Sequence, residues 1–180
     1  MDLTEKTLAS RRVFQGRLLR IDVDTVSLPN GDESVREVVR HPGGVCVLPL
    51  HDDGTVSVVE QFRYPYAQVL TELPAGKLEP GEDPDQAIRR ELSEEVGLTA
   101  GEWIDMGLFY PSVGYCDEVL HLYLARKLTQ GDAHPDLDEF LAPKRVPLSR
   151  LVEQVMDGEI ADGKSAALIL KVQRFLDQEK

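Results

Sequence analysis

Residues 73–98 read Leu-Pro-Ala-Gly-Lys-Leu-Glu-Pro-Gly-Glu-Asp-Pro-Asp-Gln-Ala-Ile-Arg-Arg-Glu-Leu-Ser-Glu-Glu-Val-Gly-Leu, a run that contains both ends of one helix. Asp83 offers a side-chain acceptor for the free N–H groups of a first turn, Pro84 stands where a missing N–H costs nothing, and Gly97 supplies a left-handed terminus. The spacing therefore predicts a helix over 84–96. At about 100° per residue, Ile88, Leu92 and Val96 fall on one apolar stripe, and Glu91, Glu94 and Glu95 share an adjoining arc about 100° wide. Three carboxylates crowd one side.

Like charges at this spacing repel by a few tenths of a kcal/mol per pair, and more beside an apolar stripe that excludes water. A divalent cation offsets that repulsion, because carboxylate oxygens are hard ligands suited to Mg²⁺ or Mn²⁺ at sites that also accept substrate phosphates. Glu82 adds a fourth acid just before the helix, Arg89 and Arg90 can hold outer carboxylates, and Gly76 and Gly81 let the loop backbone approach a ligand closely. Three helical glutamates taken alone are usually a solvated face. Their setting decides otherwise. The run matches G-x5-E-x7-R-E-U-x-E-E-x-G-U, U being aliphatic, at Gly76, Glu82, Arg90, Glu91, Leu92, Glu94, Glu95, Gly97 and Leu98. Average residue frequencies produce that coincidence on the order of once in 10⁹ start points.

This pattern is the Nudix box, and the chain resembles the Nudix hydrolase family. The resemblance implies an α/β fold, an α/β/α sandwich of mixed sheet with an N-terminal antiparallel sheet. It also implies cleavage of a nucleoside diphosphate linked to another moiety. Four further segments resemble the ADP-ribose and nucleoside diphosphate-sugar pyrophosphatase branch: Arg36-Glu-Val-Val-Arg-His-Pro-Gly, Glu60-Gln-Phe-Arg-Tyr, Glu72-Leu-Pro-Ala-Gly-Lys-Leu-Glu and Tyr110-Pro-Ser-Val-Gly-Tyr-Cys-Asp-Glu. By that resemblance Arg36 and Arg63 grip the diphosphate. The Ala75 carbonyl with Glu91 and Glu95, assisted by Glu94, forms the metal cage. A catalytic base comes from the late acidic loop, which offers Glu139, Asp138 and Asp136.

Two departures bear on substrate. Val113 stands between Ser112 and Gly114 where the ADP-ribose branch carries proline, and Tyr115 follows where a tyrosine is associated with diadenosine polyphosphate hydrolases. Arg17 occupies a hairpin position where relatives stack the base on an aromatic ring, with Phe14 nearby. The expected reaction is Mg²⁺-dependent cleavage of ADP-ribose or a related nucleotide sugar to a nucleoside monophosphate and a sugar phosphate. The alternatives are a diadenosine polyphosphate hydrolase and a non-catalytic nucleotide-sensing module; a sensor would be expected to lack a metal glutamate, and all three are present. Relatives pair as homodimers through their N-terminal strands.

The 180 residues, 42% hydrophobic, suffice for one cored domain spanning 1–180, with residues 1–40 as an N-terminal strand subdomain expected at a dimer interface. A net charge of −12 argues against nucleic acid or an anionic membrane as partner. Cys46 and Cys116 lack metal-ligand spacing and read as free thiols of a reducing cytosol. The N-terminus has no apolar export core and no run approaches membrane-spanning length, so a cytoplasmic location is expected.

Strands are expected at 11–14, 18–28, 34–40, 45–50, 55–62, 69–73, 103–110, 119–128 and 140–146, the last an edge because of Pro143. His51-Asp52-Asp53-Gly54 reads as a turn. Two later helices are expected, one capped by Ser149 and ending at Met156, the other over 164–178. Between them Gly158-Glu-Ile-Ala-Asp-Gly-Lys-Ser165 satisfies the phosphate-loop pattern G-x4-G-K-S. A helix rather than a strand precedes it, and Glu159 and Asp162 would face the phosphates, so it reads as an interhelical turn.

Overall fold

The computed structural model describes residues 2–134 and 140–179. They divide into two compact units, Met1–Gly43 with Tyr110–Val119, and Gly44–Phe109 with Leu120–Lys180.

The first unit is an antiparallel sheet of β1 (Lys6–Gln15), β2 (Arg20–Ser27) and β3 (Glu33–Arg40), with β2 central. β1 starts five residues earlier than the hydrophobic pattern implies, because all ten of its residues are exposed and carry no burial alternation. On β2 the better buried face holds Asp22, Asp24 and Val26, while Ile21, Val23 and Thr25 are half-buried. Arginines explain the buried acids. Arg12 and Arg40 pair with Asp22, and Arg40 also reaches Asp24 and Asp117.

The second unit contains the sandwich. Its mixed sheet runs β7 (Ala75–Lys77), β4 (Gly44–Pro49), β9 (Leu120–Gln130), β8 (Leu98–Phe109), with β4 parallel to β9. A second sheet places β5 (Thr55–Arg63) between β10 (Leu141–Pro147) and β6 (Gln68–Glu72). The period-2 alternation of side chains divides β4 between two cores. Val45 and Val47 pack with Ala87, Ile88, Leu92 and Val96 of α1 (Pro84–Val96). Cys46 and Leu48 pack with Leu151 of α2 (Leu148–Met156) and with Leu168, Ile169 and Val172 of α3 (Gly163–Gln178). Helices thus cover both faces. Each fully buried Leu or Ile contributes roughly 1.5–3 kcal/mol, and truncating Leu48 to Ala costs about 2–5 kcal/mol.

Three local expectations change. β7 was hidden in the sequence, because three residues with a central glycine carry no strand periodicity; their ladder to Gly44–Cys46 is made by backbone. β8 begins directly after Gly97, ahead of the apolar stretch around Trp103. α2 starts at Leu148 behind Pro147 with no side-chain cap, so Ser149 lies inside its first turn. As expected, β10 is an edge strand; residues 157–162 join two helices, while Gly163, Lys164 and Ser165 already form the first turn of α3. Among the described residues, no helix is long and apolar enough to cross a membrane.

Candidate active site

The acidic helix forms as its sequence dictates. Asp83 Oδ1 accepts from Asp85 N–H at 2.9 Å, and Gly97, at φ 66°, donates its N–H to the Leu92 and Ser93 carbonyls. Because Ile88, Leu92 and Val96 dock on the sheet, the neighbouring arc is carried inward with them. Glu91 and Glu95 are buried, at 7% and 4% exposure, while Glu94 remains half-buried. The short β7 brings backbone to meet these acids. Ala75 N–H donates to Glu95 Oε2 at 3.1 Å, and the Glu91 carboxylate lies against the bare Cα of Gly76.

Arg90 organises the remaining charge. Its Nη1 donates to Glu91 Oε1 at 2.8 Å and Glu94 Oε2 at 2.9 Å, while Nε and Nη2 reach the two Glu82 oxygens at 3.0 and 3.1 Å. The hydrogen bond to Glu82, with the attraction of Glu91 and Glu94, raises the guanidinium's pKa further, and Glu82 is held below the usual carboxylate range. Glu82 also accepts from Glu79 N–H at 2.9 Å, which ties the loop to the helix. Arg89 is used elsewhere, 4.7 Å above the Trp103 ring.

Arg90 is shared by three carboxylates, Glu82, Glu91 and Glu94, and Glu95 lies one turn on from Glu91 against the Ala75 amide. Hard oxygen donors, two of them buried, beside a glycine whose Cβ would fill the cradle, fit a divalent cation. Among the described residues no three acidic, histidine or cysteine side chains close into a complete cage. An ion held by one or two carboxylates, with its other positions taken by water and phosphate, is the arrangement Mg²⁺ favours.

Arg63 ends β5 and forms a side-on fork with Glu72, Nε and Nη2 lying 2.6 and 2.7 Å from the two carboxylate oxygens. In the first unit, Arg36 pairs with Glu5 at 2.6 Å and donates to Ser34 Oγ at 3.1 Å. Arg17 lies exposed in the β1–β2 turn, and Gly114 lies exposed in the 110–119 segment. Asp136, Asp138 and Glu139 fall outside the described residues. His51 donates to or accepts from Ser57 Oγ at 2.8 Å in its turn.

Sequence reasoning missed Glu72, Asp162, Lys164 and Ser165 as one group. Lys164 Nζ bonds Glu72 Oε2 and Asp162 Oδ2, and Ser165 Oγ accepts from Leu73 N–H at 2.8 Å. Glu72 and Lys164, like Leu73 and Ser165, are 92 residues apart, so no local pattern announces them.

Residues 40–168 match the NUDIX domain, and residues 5–39 match the nucleoside diphosphate sugar hydrolase N-terminal domain. The chain belongs to the Nudix hydrolase family. This Nudix hydrolase is 41% identical over 182 residues to the ADP-ribose pyrophosphatase of Bacillus subtilis (strain 168), covering 99% of this chain and 98% of that protein. It is 38% identical over 171 residues to the methanol dehydrogenase activator of Bacillus methanolicus, covering 94% and 92%. Its fold is shared with a crystal structure of an ADP compounds hydrolase at a TM-score of 0.87, with 20% identity and 99% and 98% coverage.

Proposed function

We propose that this Nudix hydrolase cleaves the diphosphate of ADP-ribose or a related nucleoside diphosphate sugar, releasing a nucleoside monophosphate and a sugar phosphate, with Mg²⁺ or Mn²⁺ as cofactor. The observation that carries the reading is the pair of buried carboxylates, Glu91 and Glu95, set on α1 against the backbone of Ala75 and Gly76. The full-length similarity to a protein named ADP-ribose pyrophosphatase supports the substrate class.

A divalent cation bound here would supply Lewis acidity toward the phosphoryl oxygens and would lower the pKa of a water. Glu91 and Glu95 would hold it, and Arg90 fixes the positions of Glu91 and Glu94. The Ala75 carbonyl would be the further ligand of that cation. Arg63 and Arg36 serve the diphosphate, since a guanidinium gives charge-assisted, geometrically fixed forks to phosphate oxygens. Arg17 and Gly114 are the further residues assigned to substrate binding in this reading. A carboxylate among Asp136, Asp138 and Glu139 takes the proton of the attacking water.

The exposed β1, carrying Leu8, Val13 and Phe14 on an unpaired edge, supports a homodimer built through residues 1–40. Sedimentation of the wild type beside a Val13→Lys variant tests it; an unchanged monomer in both removes the dimer.

The reaction is tested by end-point product release with Mg²⁺ across ADP-ribose, ADP-glucose, UDP- and GDP-sugars and diadenosine polyphosphates. AMP and ribose 5-phosphate from ADP-ribose are expected. Cleavage confined to diadenosine polyphosphates would replace the substrate assignment.

A further inference from the structure

Glu72 is 2% exposed, yet it is shared by two cations. Arg63 approaches from β5, and Lys164, 13% exposed along its side chain, approaches from the first turn of α3. In the β5–β6 ladder Arg63 lies opposite Gln68 and Glu72 lies opposite Val59. The arginine therefore runs back along the hairpin to reach its partner. Burial alone would push the Glu72 carboxyl up, but the hydrogen bonds from Arg63 and the charge of Lys164 outweigh it and hold the group below the usual carboxylate range. Asp162 accepts from Lys164 Nζ at 2.9 Å and from Ser165 N–H at 3.1 Å, so its charge is taken up by the start of α3.

The consequence lies in how Arg63 is left. Nε and Nη2 are committed to Glu72, and Arg63 remains 39% exposed along its side chain, with Nη1 on the opposite edge of the guanidinium. Glu72 Oε2 also accepts from Lys164, so the carboxylate's charge is divided and Arg63 retains attraction for a second anion. At the next residue, Ser165 Oγ holds Leu73 N–H, and two residues on, Ala75 N–H holds Glu95. Two neighbouring residues of α3 thus pin two neighbouring residues at the end of β6, on the chain that leads into the acidic site.

We infer that Lys164 and Glu72 are positioning residues for substrate binding: they lock the Arg63 guanidinium in one rotamer with its outer edge available to the nucleotide diphosphate. The inference rests on the proposed role of Arg63 in gripping that diphosphate. A prearranged guanidinium binds phosphate without the entropy loss of ordering a long side chain, and it acts equally on ground and transition states. Its loss therefore appears in KM.

The test is a double-mutant cycle on ADP-ribose hydrolysis, with melting temperatures measured in parallel. Lys164→Met is expected to raise KM about tenfold with kcat within threefold. In an Arg63→Ala background the same change is expected to move KM less than twofold, and Lys164→Arg restores most of the wild-type KM. Glu72→Gln keeps the side chain's shape and is carried through the same cycle, so the result stands even where Lys164→Met fails to fold. Equal KM effects in both Arg63 backgrounds, or a fall in kcat with KM unchanged, overturn the inference while leaving the hydrolase reading intact. A wild-type enzyme inert toward every nucleoside diphosphate sugar overturns both.

Discussion

The Glu91 carboxylate occupies the space that a side chain at Gly76 would need, so helix and strand meet at this point only because residue 76 lacks a Cβ. Gly76 is not held at positive φ; its requirement is close approach rather than backbone freedom. Gly76→Ala should displace the carboxylate, which is the movable end of a side chain, and leave the β4–β7 ladder in place. Turnover with Mg²⁺ is expected to fall about 100-fold while the melting temperature shifts little, since catalytic groups tolerate misplacement poorly. Undiminished turnover would show that the Glu91 position is unimportant.

Glu95→Gln keeps an oxygen for Ala75 N–H and so should fold normally, but it removes one formal charge from the proposed cation site. Loss of about 100-fold or more in turnover is expected, as for deletion of one preorganised electrostatic group. Titration calorimetry with Mg²⁺ and a nonhydrolysable substrate analogue provides the binding arm; wild-type affinity in the variant would dismiss Glu95 as a ligand.

Arg90 carries the counter-charge for Glu82, Glu91 and Glu94 together. Arg90→Ala leaves these acids facing one another and should lower unfolding stability by about 1.5–3 kcal/mol, the scale of a hydrogen bond to a charged group. Saturating Mg²⁺ should recover part of that loss, because an ion bound only by the folded state stabilises it by mass action. Denaturant titrations with and without Mg²⁺ measure both effects.

The buried Glu72–Lys164 pair sets a pH window for stability. Glu72 has a folded pKa below its ordinary 4.5, so the unfolded chain binds more protons there and stability falls as pH drops below 4.5 through the folded value. For Lys164, burial opposes the charge but Asp162 and Glu72 outweigh it, raising the folded pKa above 10.5. Its contribution is complete below 10.5 and disappears as pH rises through the folded value. Glu72→Gln should flatten the acid limb of the stability profile; an unaltered limb would assign acid unfolding to other carboxylates.

Much of the site was readable because it is local in sequence. Asp83, Pro84 and Gly97 mark the ends of α1, and the 3.6-residue period puts Glu91 and Glu95 beside Ile88 and Leu92, whose burial carries the acids inward. Gly76 and Glu82 fall in the same run, and Arg90 does hold the outer carboxylates.

What escaped reading is non-local or made by backbone. β7 has three residues and no apolar alternation, and β1 is exposed throughout. Asp22 and Asp24 are buried because Arg12 and Arg40 arrive from neighbouring strands, a pairing that hydrophobicity alone does not disclose. Lys164 and Ser165 looked like part of a phosphate loop or an interhelical turn. They meet Glu72 and Leu73 through tertiary contacts that span 92 residues of sequence.

The division of β4 between two cores also bears on how the sandwich opens. All six residues from Gly44 to Pro49 are buried, and the strand lies between β7 and β9 with a helical layer on each face. Neither layer can detach without stripping one side of this strand. Its backbone amides should therefore be the slowest in the chain to exchange with deuterium, and they should do so only when both layers come apart together.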